Sequence, residues 1–520
     1  MKISFPLALL CCCALALAQP RGQIQPAQRA ASLATASAYQ QPSAAIREAL
    51  NAPALPRLVV SPDKQTLALL ELRRFNTLEE LARPTLRLAG LHFDAQTDTQ
   101  HPPSTLLRLR LRALQSGDAA ERVIELPQPG FHSFAWAPDG QRFLLERRDE
   151  QGNELWVGET ASGRLRQIGT LHLNNMLGQD EMAWLNPHEV VVLGMPKRRT
   201  PPREVPLPVV QEHQDRASPE RSYPDLLKSP YDEALFEYHA RSQLVLVDLA
   251  SGGTRDLGEP ALFSSLSSVG AAGGAQYLLT ERLLRPFSYR LTWDDFAQSI
   301  EVRQRDGRVL RELARLPMKD GVAIDGVLPG PRVFYASPTA DAAVYWVEAL
   351  DGGNPAARVA FRDRVMRLDP PFIGEPVEVQ RMPQRFTRLR FLDDGQHALL
   401  TETDRLRAWT RTYLLPLNGT QSKPLFEHSV RERYRHPGTP LMRTLANGHS
   451  VIQSTREGEI FLIGQGANPR GERPFLDKFS IRDLSSQRLF QSSESAYEMP
   501  LMTLAAGDSG RLLLQRESPQ

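Results

Sequence analysis

The chain has 520 residues, 41% of them hydrophobic and 23% charged, and its formal net charge at pH 7 is +2. This length exceeds one ordinary domain unless the chain is built from repeats, and the composition is that of a folded, water-soluble protein. A net charge so close to zero gives no electrostatic reason to bind nucleic acid or an anionic membrane, so neither is expected as a partner.

The N-terminus has the pattern of a cleavable export signal. Met1-Lys2 is a short positive start, and Ile3 to Leu17 is an apolar run of signal-peptide length. Small residues at Ala16 and Ala18 then match the positions that signal peptidase recognises. We expect residues 1–18 to be a signal peptide cleaved between Ala18 and Gln19, which predicts a periplasmic or secreted protein. The alternative, a membrane anchor, is disfavoured because the run is short for a membrane span.

All three cysteines, Cys11, Cys12 and Cys13, lie inside this apolar run. Leu10 precedes Cys11, whereas a lipoprotein signal needs a small residue there, so lipidation is not expected. After cleavage the chain has no cysteine, which excludes disulfides, thiolate metal sites and a cysteine nucleophile. No later segment has the apolar length of a membrane span, so no membrane contact is expected after signal cleavage.

Residues 19–54 are expected to form a flexible leader followed by a short helix. Residues 19–38 are rich in Gln, Ala, Ser and Arg, a composition typical of disorder. Ser43 can cap a helix in which Ile46 and Leu50 share one face, and two prolines follow it.

Beyond the leader the sequence repeats one unit: a tight turn, a strand, and a second strand that ends at small residues. Asp-Gly and Asn-Gly supply the positive φ values that tight hairpins need, and short apolar strands suit a buried sheet. The units recur every few tens of residues, which matches four-stranded blades better than sandwich domains of about 100 residues. The turns and the strands after them are Ser61–Lys64 with Leu67–Leu70, Ala137–Gly140 with Arg142–Leu145, Ser337-Pro338 with Ala343–Trp346, Leu392–Gly395 with His397–Leu400, Ala446–His449 with Val451-Ile452, and Asp508–Gly510 with Leu512–Leu514; Glu154–Val157 and Leu244–Asp248 are second strands.

One hairpin pair cannot bury its own two faces, but a ring of four-stranded blades can. Seven or eight units fit the chain. We therefore predict an all-β fold, a seven- or eight-bladed β-propeller over residues 55–518.

One stretch, residues 195 to about 232, interrupts the repeat. It has many prolines, a basic cluster at Lys197-Arg198-Arg199 and no strand pattern. A connection this long is usually functional or disordered. Two interpretations stay open: a loop on one propeller face that contacts a partner domain or substrate, and a solvated insertion.

Several longer segments are more specific than the repeated unit. They are Leu78–Pro84, Leu88–Gly90, Tyr231–Tyr238, Arg285–Tyr289, Trp346–Gly353, Thr410–Thr412 and Asn468–Gly471. These segments resemble the prolyl-oligopeptidase-type (S9) serine peptidases, and most closely their glutamyl endopeptidase branch. The similarity runs from about Tyr39 to Pro519. It implies a propeller that covers a peptidase active site and restricts entry to peptides, with acidic peptides as the substrates.

In that family an α/β-hydrolase domain follows the propeller and carries the nucleophile, the acid and the histidine. Arg516–Pro519 resembles the junction into that domain, and the sequence stops at Gln520. The chain has no Gly-x-Ser-x-Gly elbow, which the strained nucleophile turn requires. No catalytic, cofactor-binding or metal-binding residue is therefore nominated, no cofactor is expected, and the chain alone is not expected to hydrolyse peptide bonds.

Weaker motifs are better explained as ordinary structure. Gly507–Gly510 resembles a protease serine motif but is interpreted as a hairpin turn. Asp294-Asp295 could be paired carboxylates, but neighbours on a strand would point to opposite faces. His213 with Glu212 is expected to be solvated, Gly464–Gly466 lacks the strand-to-helix setting of a nucleotide loop, and Asn418–Thr420 is interpreted as a turn rather than a glycosylation site.

Three functional interpretations remain open. The chain is the non-catalytic propeller of an exported serine peptidase, with its α/β-hydrolase domain in cis in a longer protein or in trans on another chain. In both cases it gates or positions peptide substrates. The alternative is a free-standing periplasmic propeller that binds a partner protein. They differ in whether one face carries an exposed apolar patch for a hydrolase or a polar binding rim.

Overall fold

The computed structural model describes residues 42–101, 104–114, 121–177, 182–204, 223–271, 276–419, 421–504 and 511–517. The chain divides into two compact units, Met1–Pro53 and Ala54–Gln520. The expected signal peptide and its cleavage site lie outside the described residues.

The described part of the first unit contains the predicted short helix, α1 (Ala44–Asn51). Ser43 begins it, and its hydroxyl accepts a hydrogen bond from the Ile46 N–H at 3.5 Å. Across the described part of the chain, no helix is long and apolar enough to cross a membrane.

The second unit is a succession of antiparallel four-stranded sheets, as predicted for a β-propeller. In each sheet the strands pair in chain order, so each blade is a meander. Blades 2 and 3 are also joined at one residue pair, Leu173 with Gly194. Three further strands, β3 (Thr85–Leu88), β4 (Leu91–Asp94) and β5 (Thr99–Gln100), are inserted in blade 1. Blades 1 to 3 consist of β1 (Arg57–Val60), β2 (Thr66–Leu72), β6 (Leu106–Ala113) and β7 (Arg122–Ile124); β8 (Phe131–Trp136), β9 (Arg142–Arg148), β10 (Asn153–Glu159) and β11 (Leu165–Leu173); and β12 (Met182–Asn186), β13 (Glu189–Gly194), β14 (Ser242–Asp248) and β15 (Thr254–Ala261).

The remaining blades repeat this plan, with additions in blade 7. Its additions are the hairpins β29 (Met442–Thr444) with β30 (Ser450–Ile452) and β32 (Ala467–Asn468) with β33 (Gly471–Glu472). Blades 4 to 7 consist of β16 (Phe263–Val269), β17 (Tyr277–Leu283), β18 (Gln298–Gln304) and β19 (Val309–Leu316); β20 (Gly330–Ala336), β21 (Val344–Ala349), β22 (Asp363–Leu368) and β23 (Val377–Met382); β24 (Arg385–Phe391), β25 (His397–Asp404), β26 (Trp409–Pro416) and β27 (Lys423–Ser429); and β28 (Thr439–Pro440), β31 (Glu459–Gly464), β34 (Phe475–Ser480) and β35 (Ser485–Gln491).

A final two-stranded sheet, β36 (Tyr497–Thr503) with β37 (Leu512–Glu517), lies between blade 7 and blade 1. Met502 and Leu512 pack against buried residues of blade 7. Lys64 of blade 1 donates a hydrogen bond to the Thr503 hydroxyl at 3.4 Å, and Arg511 donates to the Leu114 carbonyl at 3.4 Å. The described residues therefore form seven complete blades and one hairpin, which accounts for the predicted count of seven or eight.

Because the strands of a blade alternate in direction, its connections alternate between the two faces of the propeller. We call face 1 the side that carries the connections from second to third strands and from blade to blade. Face 2 carries the connections from first to second and from third to fourth strands. By this order β1 begins at face 1, and β37 ends there, since Thr503 lies beside Lys64 in a face 2 turn.

The turns of face 2 form for the local reasons that the sequence indicates. In blade 2 the carboxylate of Asp139 accepts a hydrogen bond from the Gln141 N–H at 2.9 Å, and Gly140 has φ +70°. In blade 3 the carboxylate of Asp248 accepts bonds from the N–H groups of Ser251 and Ala250, and these bonds hold its pKa below the ordinary value. Such Asx turns fix the hairpins without help from distant residues.

The core lies between blades. Alternate residues of a strand pack toward the preceding and the following blade, so each interface is lined by one side of each strand. Between blades 1 and 2 the rings of Phe134 and Trp136 are 5.0 Å apart, and Phe143 stacks on Phe134 at 5.4 Å. These aromatic residues close the interface around the turn Ala137–Gly140.

Connections of blades 1 to 4 form a second layer on face 1, which we call the cap: residues 73–105, 174–177, 223–241 and 284–297. It contains α2 (Leu78–Leu81), α3 (Pro230–Ala240) and a 3₁₀ turn (Trp293–Asp295). Phe236 of α3 is fully buried against Phe287 and Phe296, with ring centroids 5.2 and 5.8 Å away. The end of the interrupted stretch, residues 195 to about 232, overlaps the start of α3, because Ser229 caps this helix, which begins at Pro230.

Candidate functional site

Two adjoining cavities lie beside the connection from blade 6 into blade 7, and His436 and Pro437 of this connection line both. The smaller, of about 180 Å³, is bounded by strands of blade 6 and the connection into blade 7. The larger, of about 1010 Å³, opens among face 1 connections of blade 7. We call the two together the basic cleft, because arginines line both.

Arg388 and Arg390 of β24 project into the smaller cavity. They are two residues apart on a strand and therefore share a side, while Leu389 and Phe391 pack on the other side toward blade 5. Burial lowers the pKa of Arg390, and the charge of Arg388 lowers it further. Neither arginine has an acidic partner within 4.0 Å in the described part of the chain. Two like charges without a carboxylate make this cavity attractive to an anion.

Hydroxyl groups and two histidines complete the smaller cavity. Thr401, Thr410 and Thr412 line it, and the hydroxyls of Thr401 and Thr412 are 3.0 Å apart. The rings of His428 and His436 lie 4.9 Å apart, and burial lowers the pKa of both. The histidines are therefore neutral at pH 7, and Nδ1 of His428 has no hydrogen-bonding partner among the described residues. The cavity thus offers guanidinium, hydroxyl and imidazole groups to a polar ligand.

The larger cavity holds two kinds of arginine. Arg473 and Arg488 are fixed by the protein: the Nε of Arg473 donates to the Ser492 carbonyl at 2.9 Å, and Arg488 pairs with Asp477. Arg435 and Arg470 line the same cavity and have no acidic partner within 4.0 Å among the described residues. The fixed arginines shape the wall, and the other two remain available to a ligand.

The arginines of the basic cleft are suited to binding anions. Guanidinium groups bind carboxylates or phosphates through paired N–H donors, but they are neither nucleophiles nor bases at neutral pH. Among the described residues no group of three or more His, Cys, Asp or Glu side chains could hold a metal ion.

The weak sequence motifs fall into separate environments. Asp294 and Asp295 lie in the 3₁₀ turn, not on a strand as expected, and they accept from different groups: Asp294 from the Thr292 hydroxyl and Asp295 from the Lys319 ammonium. Gly464 ends β31 and is followed by the hairpin β32–β33 instead of a helix. Asn418-Gly419 lies in a turn. Thr420, Glu212, His213 and residues 507–510 lie outside the described residues.

The basic cluster of the interrupted stretch contributes to folding in the described residues. Arg199 pairs with the buried Asp98 of the cap and lies over the Tyr238 ring at 4.1 Å. Nδ1 of His239 is 2.6 Å from the same carboxylate. Lys197 binds Asp256 at 2.8 Å. Arg199 thus connects the start of the interrupted stretch to α3 and to the rest of the cap.

The two faces differ in exposed apolar residues. Among the described residues, eleven large apolar side chains are exposed in connections of face 1, and two, Ile373 and Leu484, in connections of face 2. Leu406 is 93% exposed and Ile324 is 73% exposed. The eleven are Phe75, Leu78, Leu81, Tyr289, Ile324, Leu350, Val359, Phe361, Leu406, Val430 and Tyr434.

Several of these side chains lie in connections of blades 5 and 6 that contact one another, and we call them the apolar patch: Ile324, Leu350, Phe361 and Leu406. Arg405 pairs with Asp325 at 2.6 Å, which joins the connection that carries Leu406 to the one that carries Ile324. The Val327 N–H donates to the Gly353 carbonyl at 3.1 Å, which joins that connection to the one that carries Leu350 and Phe361. The sequence did not indicate this patch, because its members come from three distant connections.

Two curated relatives are similar to almost the whole chain. A probable chloroplastic glutamyl endopeptidase of Oryza sativa subsp. japonica is 31% identical over 507 residues, which cover 92% of this chain and 53% of the relative. Its counterpart from Arabidopsis thaliana is 30% identical over 493 residues, covering 89% and 50%. The chain therefore spans about half the length of the curated relatives it matches, and the predicted resemblance is confirmed.

Solved structures at lower similarity include a prolyl endopeptidase, with 13% identity, a TM-score of 0.43 and coverage of 95% of this chain and 58% of that one. The β-propeller domain of the Trilobed protease from Pyrococcus furiosus has 11% identity, a TM-score of 0.35 and coverage of 84% and 96%. No protein-family model matches the chain.

Proposed function

We propose that this chain, which is similar to glutamyl endopeptidases over 92% of its length, is the propeller part of an exported serine peptidase. In this role it does not cleave peptides. It gates their entry and positions them for an α/β-hydrolase domain that docks on face 1. The observation that carries the proposal is the unequal distribution of exposed apolar side chains between the two faces.

An exposed apolar patch on one face is costly unless another surface covers it. Burying such side chains contributes about 25 cal/mol per Å² of apolar surface, and contiguous apolar patches usually mark interaction sites. The patch around Ile324 and Leu406 therefore favours a docking surface over a polar binding rim. Because β1 begins and β37 ends at face 1, a hydrolase domain joined at either point would start on the side of this patch.

The basic cleft suits an acidic peptide as the substrate. Four arginines without acidic partners among the described residues line it, although the net charge of the whole chain is only +2. A peptide carboxylate bound there would satisfy guanidinium groups that the described residues leave unpaired. The cleft opens among face 1 connections, so a peptide held in it would be presented on the docking side.

Affinity capture from the periplasm of the native cells tests the docking proposal. The chain is tagged and expressed there, and captured proteins are labelled with a fluorophosphonate probe that reacts with active-site serines. We expect a labelled hydrolase, either as part of the same longer polypeptide or as a separate chain. For a separate chain, Ile324→Asp with Leu406→Asp should abolish capture because charges replace two apolar contacts.

The matched control places the same charges on the other face, at Ile373→Asp and Leu484→Asp, and should leave capture unchanged. Capture of a partner without a reactive serine would support the alternative, a free-standing propeller that binds another protein. Capture that responds equally to both pairs of substitutions would contradict docking at face 1. If the hydrolase is on the same polypeptide, weaker contact between the two domains is measured as faster proteolytic cleavage of the segment that joins them. We expect this faster cleavage in the face 1 variant only.

A further inference from the structure

The hairpin β29–β30 leaves blade 7 and reaches the opposite side of the ring. We call residues 441–453 the axial hairpin. Its strands pair with each other and not with the blade 7 sheet, which consists of β28, β31, β34 and β35. It therefore adds nothing to the four strands of its own blade, contrary to the prediction that Ala446–His449 was the turn of an ordinary blade.

The root of the axial hairpin is fixed to blades 6 and 1. Ile452 forms an isolated bridge with Leu392 of blade 6, and its carbonyl accepts a hydrogen bond from the Asp393 N–H at 3.0 Å. On the other side the ammonium of Lys64, in blade 1, donates to the side-chain carbonyl of Gln453 at 2.9 Å. These contacts hold the base of the hairpin at the neighbours of blade 7.

The tip makes its contacts with blades 3, 4 and 5. The side-chain amide of Asn447 donates to two carbonyls, Gly270 of blade 4 and Pro338 of blade 5, each at 2.8 Å. Nε2 of His449 lies 2.7 Å from the Ser268 carbonyl. Burial lowers the pKa of His449, so this nitrogen donates as neutral imidazole.

Close approach to blade 3 explains the glycine at the tip. Gly448 has φ +78°, and a Cβ there would lie 2.5 Å from Cδ1 of Trp184. A side chain at this position would push the tip away from blade 3. The sequence Asn447-Gly448-His449 therefore combines a two-carbonyl donor, a close backbone contact and an imidazole donor in three consecutive residues.

The ring consists of seven blades and the hairpin β36–β37, so blades 3 and 4 lie across it from blade 7. A hairpin rooted beside blades 6 and 1 with its tip on blades 3, 4 and 5 must cross the axis of the ring. All its partners at the tip belong to first strands or to the turns after them, which places the crossing at face 2. We propose that the axial hairpin is a plug that closes the propeller axis at face 2, so that a peptide reaches the centre of the ring only from face 1.

This proposal rests on contacts within the propeller and not on docking of a hydrolase. Its test uses the full chain with Cys11, Cys12 and Cys13 replaced by serine, so that one new cysteine is the only thiol. Ser268→Cys places this thiol under the tip, where Ser268 is 2% exposed, and Ser251→Cys places it in an exposed turn of the same face. With a closed plug, N-ethylmaleimide should label the Ser268→Cys variant at least about a hundredfold more slowly.

Opening the plug should restore labelling. Asn447→Ala removes two hydrogen bonds that join the tip to blades 4 and 5, and should speed labelling at Ser268→Cys at least about tenfold. The matched control is Asn186→Ala. Asn186 accepts a hydrogen bond from the His188 N–H within its own face 2 turn, and this bond does not join separate blades. Labelling at Ser268→Cys that is as fast as at Ser251→Cys, or that Asn447→Ala does not change, would overturn the plug.

Should the Asn447→Ala variant fail to fold, hydrogen exchange at the tip of the axial hairpin gives a second readout. It is measured on the protein without cysteine substitutions. The Gly448 N–H, bonded to Leu445, should exchange at least about tenfold more slowly than the Gly252 N–H, bonded to Asp248 in an ordinary face 2 turn. Equal exchange of the two amides would show a tip that opens freely, and the proposal would be wrong.

Discussion

Arg388 and Arg390 are two of the four arginines in the basic cleft that have no acidic partner among the described residues, and both lie on β24. Replacing both by alanine should weaken binding of a glutamate-containing peptide about tenfold or more, because each charge-assisted hydrogen bond contributes about 1.5 to 3 kcal/mol. Fluorescence anisotropy of a labelled peptide measures this, with the glutamine analogue of the peptide as the uncharged comparison.

A matched control keeps the change in net charge and leaves the cleft intact. Arg381→Ala with Arg407→Ala removes two exposed arginines that pair with Glu378 and Asp404. This variant should bind the glutamate peptide as the parent does. If both double variants lose the same affinity, the attraction comes from overall charge and the cleft is not the binding site.

Asp363 is a buried acid on which two blades depend. It is fully buried and accepts hydrogen bonds from Arg332 at 2.6 Å, Arg385 at 2.7 Å and the Phe386 N–H at 2.6 Å. Asp363→Asn leaves the buried guanidinium of Arg332 without its counter-charge and removes one of the two carboxylates that pair with Arg385, the other being Asp351 at 2.6 Å. It should lower the free energy of unfolding by about 3 kcal/mol or more.

Urea unfolding followed by circular dichroism measures this loss. Asp369→Asn is the control, because Asp369 is half exposed and pairs only at the surface with Arg367 at 2.7 Å. It should cost about 1 kcal/mol or less. Similar losses from the two substitutions would mean that the buried pairs around Asp363 contribute no more than a surface ion pair.

At the scale of elements, the sequence predicted what depends on neighbours in the chain. The turn Ala137–Gly140 and strands β9 and β10 are confirmed, because an aspartate, a glycine with positive φ and an apolar run determine them locally. The axial hairpin was assigned to a blade because Asn447-Gly448 has the same local pattern. Its partners, Gly270 and Pro338, are more than 100 residues away, and no local pattern encodes them.

The basic cleft was beyond prediction for a related reason. The alternation Arg388, Leu389, Arg390 indicates a strand with one charged side, but many strands of this chain have that pattern. What makes it a candidate site is the absence of acidic partners among the described residues, and that depends on what faces it from blade 7. The repeated unit was sufficient to predict a propeller, but it does not indicate which side chains of neighbouring blades face each other.

The cap depends on α3, and we expect it to unfold while the blades stay folded. Phe236→Ala removes a fully buried ring from contact with Phe287 and Phe296, a loss of about 3 to 5 kcal/mol. Because the cap consists of connections rather than blade strands, we expect faster hydrogen exchange in residues 88–100, 230–240 and 284–297. Exchange in blades 5 to 7 should not change.

Leu406→Ala serves as the control, since Leu406 is 93% exposed and its truncation leaves no cavity. It should alter exchange in neither region. If Phe236→Ala instead speeds exchange in all blades together, the cap and the ring unfold as one cooperative unit, and the cap is part of the propeller core.

At the scale of the whole molecule, the interface between blade 1 and the hairpin β36–β37, which we call the seam, has no cluster of buried apolar side chains among the described residues. Elsewhere, clusters of buried apolar side chains fill the interfaces between blades. In blade 1, Leu109 and Leu111 of β6 pack toward blade 2, so the alternating Arg108 and Arg110 face the seam. The contacts that cross it include those of Lys64 with Thr503 and of Arg511 with the Leu114 carbonyl.

Such a seam should open first and should depend on single polar contacts. Lys64→Ala removes hydrogen bonds to Gln453 and Thr503 and should speed exchange of β1, β2, β36 and β37 about tenfold or more, because a hydrogen bond to a charged group contributes about 1.5 to 3 kcal/mol. Lys423→Ala is the matched control: its ammonium donates to the carbonyls of Ile481 and Arg482 across the apolar interface of blades 6 and 7. There the apolar cluster should hold the blades together, and exchange should change little. Equal effects of the two substitutions, or equal exchange at the seam and at the other interfaces in the parent protein, would mean that the ring has no preferred opening point.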